Sequence, residues 1–103
     1  MMRLTEVEIN CLNSACDDYE NLNHINESVA ESLGKKPSEI IIMDALRRLL
    51  QLGLMDGFLF DKNKQTYNKV DPIGAYEVCD LWFYTSVEGQ KQLDLNWKEN
   101  PIK

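Results

Sequence analysis

The chain has 103 residues, of which 44% are hydrophobic and 27% charged, and its formal net charge is −6. This length suffices for one domain with its own core, and the composition is typical of a globular protein, which excludes a disordered chain. No apolar run approaches the roughly 20 residues of a membrane span, and the N-terminus lacks the apolar core of a signal peptide. We therefore expect a cytoplasmic protein without a membrane partner.

The first third of the chain predicts two helices. Thr5 is a candidate N-cap, with Glu8 as its partner in a capping box. Apolar residues then recur at helical spacing, which predicts one helix continuing to about Asn21. They are Leu4, Cys11, Leu12, Ala15, Tyr19 and Leu22. A second helix is predicted over residues 24–33, with Gly34 as its end.

A central helix is predicted between Ser38, a candidate N-cap, and Gly53, a candidate stop. At about 100° per residue, its apolar positions form one buried face. That face consists of Ile42, Ala45, Leu46 and Leu49, flanked by Met43 and Leu50. The opposite, polar face consists of Asp44, Arg47, Arg48 and Gln51.

The second half of the chain changes to a β-type pattern. A short strand is predicted over residues 58–60, a polar turn over 61–65 and a returning strand over 66–70. The aromatic run at residues 81–85 is the strongest strand signal. Because alternate strand residues point to opposite faces, Trp82 and Tyr84 are expected on one side and Phe83 in the core.

A last short helix, capped by Ser86, is predicted over residues 87–93. The remaining C-terminal residues have no period, so we expect a domain over residues 1–95 and a C-terminal tail over residues 96–103.

The sequence offers little for catalysis or for binding a metal. The three cysteines match neither a disulfide framework nor a zinc ligand set, and Cys11 and Cys16 are expected to pack as small apolar residues. His24 is the only histidine, and no glycine-rich phosphate loop occurs. We therefore expect no enzyme, no metal site and no cofactor.

Charge is unevenly distributed along the chain. Residues 1–34 carry one basic and seven acidic residues, whereas residues 35–70 carry seven basic and four acidic residues. The basic middle third permits two interpretations. It is either a surface that contacts nucleic acid or simply a solvated surface.

The order of helix, helix, turn, helix, β-hairpin and closing helix resembles a winged helix-turn-helix domain. The stretch Leu46–Leu54 is similar to the ending of the recognition helix in MarR-like and PadR-like regulators. Phe83–Gly89 is similar to the Tyr-x-Leu-Thr-x-x-Gly close of their wing, with Thr85 and Ser86 in place of Leu and Thr. The resemblance implies an α+β fold with a three-helix core, a C-terminal β-hairpin wing and a short closing helix.

The resemblance also implies a transcriptional regulator that binds duplex DNA as a homodimer, with its central helix in the major groove. The residues so implicated are Lys35, Lys36, Ser38, Arg47 and Arg48 at the central helix and Lys62 and Lys64 at the wing tip.

An alternative interpretation is an acidic winged helix module that binds a protein and no DNA. Ile40 and Ile41 lie at or near the polar side of the central helix, together with Asp44. An aspartate repels phosphate, and an isoleucine can contact only the methyl group of thymine. These three residues are the candidate protein-binding site, unless the wing or the tail of the chain itself covers the isoleucines.

Overall fold

The structure is a computed structural model and describes residues 3–70 and 77–99. Within these residues the chain forms a small α+β domain with four α-helices and one four-stranded antiparallel sheet, as the sequence predicts at the level of fold class. The helices are α1 (Glu6–Ser14), α2 (Leu22–Leu33), α3 (Glu39–Gln51) and α4 (Val87–Glu99). The strands are β1 (Glu20–Asn21), β2 (Met55–Asp61), β3 (Thr66–Lys69) and β4 (Trp82–Thr85).

The sheet has the strand order β1-β4-β2-β3, so β2 has an antiparallel neighbour on each side. Phe58 is opposite Trp82 of β4, and Phe60 is opposite Tyr67 of β3. Side chains alternate between the two faces of a strand. As a result, Met55 and Phe83 are fully buried on the inner face, which packs against the helices.

The central helix α3 begins and ends as its sequence predicts. The Ser38 side chain accepts a hydrogen bond from the Ile41 N–H at 3.4 Å, and Gly53 adopts φ +74°, a left-handed conformation that glycine accepts without strain. The predicted apolar face is buried, although Met43 remains half-buried. Its buried members are Ile42, Ala45, Leu46, Leu49 and Leu50.

The first helix is shorter than predicted. The capping box of Thr5 and Glu8 is present, but α1 ends at Ser14, and the chain then bends towards β1. The Asp18 carboxylate accepts a hydrogen bond from the Tyr19 N–H at 2.7 Å, a local contact that competes with helical hydrogen bonding. Asn21 then caps α2 through the His24 N–H, so α2 begins two residues earlier than predicted.

The region after α3 contains the predicted strands and turn. Asp61 closes the β2–β3 turn by accepting from the Asn63 and Lys64 N–H groups at 2.9 and 3.2 Å. The segment Asp71-Pro72-Ile73-Gly74 also predicts a turn by its sequence, and it lies outside the described residues. After it come a 3₁₀ turn at Val78–Asp80 and then β4.

The C-terminal helix is longer than predicted, because α4 continues to Glu99 rather than ending at Leu93. The proposed boundary between residues 95 and 96 therefore lies within a helix. Ser86 precedes α4 and donates from its hydroxyl to the Gly53 carbonyl at 2.7 Å. At Gly89 an added Cβ would lie only 1.9 Å from the Leu54 carbonyl oxygen, so only glycine lets α4 pack this closely against the segment between α3 and β2.

The buried residues of the helices and of the inner sheet face form one hydrophobic core. Thr85 joins β4 to α1, because its hydroxyl donates to the Leu12 carbonyl at 2.7 Å. None of the helices in the described ranges is long and apolar enough to cross a membrane.

Candidate functional site

The first half of α3 exposes two large aliphatic side chains. Ile40 is 70% exposed and Ile41 is 50% exposed, although both belong to a helix that otherwise buries its aliphatic residues. The possibility that the chain covers these isoleucines itself is therefore wrong for the residues that the structure describes. Single exposed apolar residues are common, but two adjacent ones beside a concave surface suggest a contact site.

Such a concave surface lies between the start of α1 and α3. It is an open groove of about 450 Å³, and Ile41 and Ala45 stand one turn apart on its α3 side. The residues that line it are Thr5, Val7, Glu8, Ile41, Asp44, Ala45 and Arg48. We call this groove, with Ile40 beside it, the α1–α3 face.

An ion pair between α1 and α3 lies in this groove. The Glu8 side chain is 4% exposed, and its Oε1 accepts from Arg48 Nη1 at 2.5 Å and from the Thr5 N–H at 2.7 Å. Arg48 Nη2 also donates to the Arg3 carbonyl at 3.4 Å. The structure thus places the guanidinium of Arg48, a predicted DNA contact, against α1. Sequence reasoning identified Glu8 as a capping residue, but no local signal links it to a residue forty positions later.

The other predicted arginine is also paired. Arg47 Nη1 lies 3.2 Å from Asp44 Oδ1, one turn earlier on the exposed side of α3. The side chains are 45% and 68% exposed respectively, so water screens this pair. Asp44 and Arg47 therefore have each other as nearest opposite charges, but both remain accessible to a ligand.

The four predicted lysines differ from the arginines. Lys35 and Lys36 are exposed in the connection before Ser38, and Lys62 and Lys64 are exposed in the β2–β3 turn. None of the four forms an ion pair with another described residue. They remain available to an anionic ligand in two separate segments of the chain.

The outer face of the sheet carries six aromatic residues in mutual contact, which we call the aromatic cluster. Its members are Tyr19, Phe58, Phe60, Tyr67, Trp82 and Tyr84. Trp82 and Tyr84 share this face and Phe83 is in the core, as predicted. Tyr19 was expected on the first helix, but it stacks on Tyr67 with ring centroids 3.9 Å apart and planes 5° apart. Every ring is half-buried.

Two of the cysteines and His24 each have an acidic neighbour. Burial, with the nearby Glu8 carboxylate, raises the pKa of the Cys11 thiol to about 12, so this thiol stays protonated at neutral pH. Cys16 lies half-buried beyond the end of α1, and burial and Asp17 raise its pKa as well. His24 pairs with Glu20 at 3.1 Å on the surface. No group of three potential metal ligands occurs in the described part of the chain.

Comparison of this chain with protein-family models, with curated proteins and with solved structures gives no match.

Proposed function

We propose that this chain is a binding module of the winged helix type, and that its α1–α3 face docks a protein partner. The observation that carries the proposal is the exposure of Ile40 and Ile41 beside an open groove with Val7 and Ala45 in its walls. A partner that covered these side chains would remove apolar area from water, the main driving force for protein association.

The winged helix assignment rests on the order of the elements. α1, α2 and α3 precede the β2–β3 hairpin, and β4 and α4 follow it, as the resemblance implies, whereas β1 between α1 and α2 is additional to that order. The groove lies on the helix that such domains use for recognition. An amphipathic helix placed in an apolar groove is a recurrent mode of protein recognition.

The side chains on α3 favour a protein over a DNA groove. Base edges are read by Arg, Lys, Asn, Gln, Ser or Thr. On α3, Arg48 is held by the buried Glu8, Arg47 forms an exposed pair with Asp44, and the most exposed large hydrophobic side chain is Ile40. These contacts leave α3 with a surface that resembles the apolar centre of a protein interface.

The test is recovery of a partner by the tagged protein, expressed in its own cells, as wild type and as Ile40→Asp. We expect loss of the partner with Ile40→Asp and a free energy of unfolding within about 0.5 kcal/mol of wild type, because Ile40 has little packing to lose.

Val87→Asp is the matched control for this experiment, since Val87 is 74% exposed, as Ile40 is 70% exposed, but belongs to α4 rather than α3. It should retain the partner. Equal recovery by the wild type and by Ile40→Asp would overturn the proposal.

Duplex DNA is the second candidate ligand, and the free lysines favour it. The phosphates would be contacted by Lys35, Lys36, Lys62 and Lys64. The major groove of the DNA would lie nearest Ser38 and Arg47. Phosphate contacts release counterions, so binding to a random duplex near ~10⁻⁵ M should weaken steeply with salt in fluorescence anisotropy.

Lys35→Glu combined with Lys36→Glu should abolish this binding, whereas Lys91→Glu on α4 should not. No binding at low salt would exclude DNA. The homodimer that a DNA-binding role implies would appear as twice the monomer mass in light scattering.

A further inference from the structure

We infer that the segment of the partner that docks on the α1–α3 face is acidic, with carboxylates on both sides of its apolar residues. This inference rests on the proposed function and adds the chemistry of the partner to it. It follows from the basic residues that border the exposed isoleucines at both ends of the α3 side of the face.

Two lysines border the first turn of α3. Lys35 and Lys36 are exposed, and neither forms an ion pair with another described residue. Lys36 is two residues before Ser38, whose hydroxyl accepts from the Ile41 N–H at 3.4 Å. Because two residues span at most about 7 Å, the backbone of Lys36 lies beside the turn that exposes Ile40 and Ile41.

An arginine borders the other end of the face. The Arg3 carbonyl accepts from Arg48 Nη2 at 3.4 Å, and Arg48 lines the groove from the last turn of α3. Arg3 is exposed, and its guanidinium has no carboxylate partner among the described residues. Ile41 and Ala45 lie between the two basic ends, because Ile41 and Arg48 are about 10 Å apart along α3.

Acidic residues near the face are fewer or are paired. The groove lining contains Glu8 and Asp44, and each pairs with an arginine of α3, so neither adds net charge to the face. Beside the lining, Glu6 is exposed and forms no ion pair with a described residue. Glu39 is exposed too, but at about 100° per residue it projects about 160° away from Ile41 around α3. The unpaired charges beside the face are therefore three basic residues against one acidic residue, or against two if Glu39 is included.

The net charge of the whole chain is −6, but the charges that border the face act most strongly on a docked segment. At physiological ionic strength, exposed charges more than about 8 Å apart are largely screened from one another. Complementary charge across an interface selects the partner and fixes its register. Carboxylates on the docked segment would meet the lysines at one end and Arg3 at the other, while apolar residues between them would cover Ile40 and Ile41.

Duplex DNA is also an anion, but it would use the lysines and leave the isoleucines uncovered. The β2–β3 turn provides the comparison that separates the two ligands. Lys62 and Lys64 are exposed and unpaired like Lys35 and Lys36, but they belong to a different segment of the chain. DNA would contact both pairs of lysines, whereas an acidic segment on the α1–α3 face would depend on the pair beside Ile40.

The experiment measures fluorescence anisotropy of a labelled peptide titrated with the full chain. The probe has about 12 residues, enough to span the face in a helical or an extended conformation, with leucines at its centre and glutamates on both sides. One control peptide has serine in place of leucine, and another has lysine in place of glutamate. We expect saturable binding of the probe and at least tenfold weaker binding of both controls. Failure of the probe to bind, or equal binding of either control, would overturn the inference.

Matched lysine variants of the protein locate the basic end of the site. Lys35→Gln combined with Lys36→Gln should weaken binding of the probe about fivefold or more. Lys62→Gln combined with Lys64→Gln makes the same change of net charge and should leave binding unchanged. Equal losses from the two pairs would overturn the inference, because attraction would then lack a site on α3.

A matched pair of apolar variants locates the centre of the site. Ile40→Ser should weaken binding of the probe about tenfold, because its apolar area would no longer be covered by leucine. Val87→Ser removes a similarly exposed aliphatic side chain from α4 and should leave binding unchanged. Both substitutions are at exposed positions, so circular dichroism should show the same folded protein. Unchanged binding with Ile40→Ser would overturn the inference.

Two further outcomes separate this inference from the proposed function. If the acidic peptide fails to bind but Ile40→Asp still loses the cellular partner, the proposed function stands and the acidic chemistry is wrong. If the wild type is a dimer in light scattering and Ile40→Ser is a monomer, a second copy of this chain occupies the face and the inference falls.

Discussion

Two surfaces of this domain expose apolar side chains, and they do so in different ways. On the outer sheet face, six rings contact one another. Tyr19, for example, contacts Phe58, Tyr67 and Tyr84 with centroid distances of 3.9 to 5.0 Å. On the α1–α3 face, Ile40 remains 70% exposed. The rings of the first surface are half-buried against one another, whereas Ile40 on the second is open to solvent.

The difference shows that an exposed apolar side chain indicates a contact site only when the side chains around it leave it uncovered. Each ring of the aromatic cluster already has partners, so the cluster lowers the free energy of the isolated chain. Ile40 and Ile41 bury less of their apolar area within the chain, and under the proposed function a partner would cover the rest. Aromatic content alone would indicate the outer face of the sheet as the contact site.

The largest expected effect concerns the ion pair in the α1–α3 groove. Arg48→Met should lower the free energy of unfolding by about 3 kcal/mol, because it leaves the buried Glu8 carboxylate without its cation. This value is at the low end of the usual range, since the Arg48 side chain is 45% exposed. Urea denaturation measures the change.

Arg47→Met is the control, because its pair with Asp44 is exposed and should contribute less than about 0.5 kcal/mol. If both substitutions have the same small effect, the Glu8–Arg48 pair does not stabilise the packing of α1 against α3. The predicted difference between Arg48 and Arg47 is then wrong.

The next effect concerns the aromatic cluster. Tyr19→Ala should lower the free energy of unfolding by about 2 kcal/mol, because it removes three ring contacts and exposes the Tyr67 ring. Tyr19→Phe keeps the ring and should change the stability by less than about 0.5 kcal/mol. A Tyr19→Ala protein as stable as wild type would mean that the two apolar surfaces are alike, each open to solvent.

The smallest effect concerns Cys11, which is fully buried on α1 close to Glu8. Its folded pKa of about 12 lies above the ordinary value of 9.0, so the thiol is protonated in both states below pH 9 and has no effect there. Above pH 9 only the unfolded chain releases the proton, and the free energy of unfolding falls as the pH rises. The loss should reach about 1.4 kcal/mol at pH 10.

Cys11→Ala isolates this contribution, since tyrosines and lysines titrate in both proteins. The variant should be less stable at pH 8 but should lose about 1.4 kcal/mol less than wild type between pH 8 and pH 10, in urea denaturation under reducing conditions. Parallel slopes for the two proteins would show that the thiol ionises within the folded chain.

The features that sequence reasoning predicted depend on near neighbours. The Thr5 capping box, the Ser38 cap and the left-handed Gly34 and Gly53 each involve residues within one or two turns. The alternation of Trp82, Phe83 and Tyr84 is equally local, and it places Phe83 in the core.

The features that it missed depend on distant contacts. Tyr19 fits a helical period, but the bend at Asp18 carries it to the sheet, where its partners come from β2, β3 and β4. Arg48 fits the polar face of α3, yet Glu8, forty positions earlier, takes up its charge. Period and spacing carry no information about which remote partner an outward-facing side chain meets.

Gly89, in the segment Thr85-Ser86-x-x-Gly89, differs from Ile40 in how many residue types its position can accept. A β-carbon at position 89 would lie 1.9 Å from the Leu54 carbonyl oxygen, and Ser86 Oγ accepts from the Gly89 N–H at 3.1 Å. A designer who kept this backbone would find one admissible residue at position 89 and many at position 40. A new side chain at position 40 therefore leaves the backbone as it is, whereas any side chain at position 89 displaces the segment between α3 and β2.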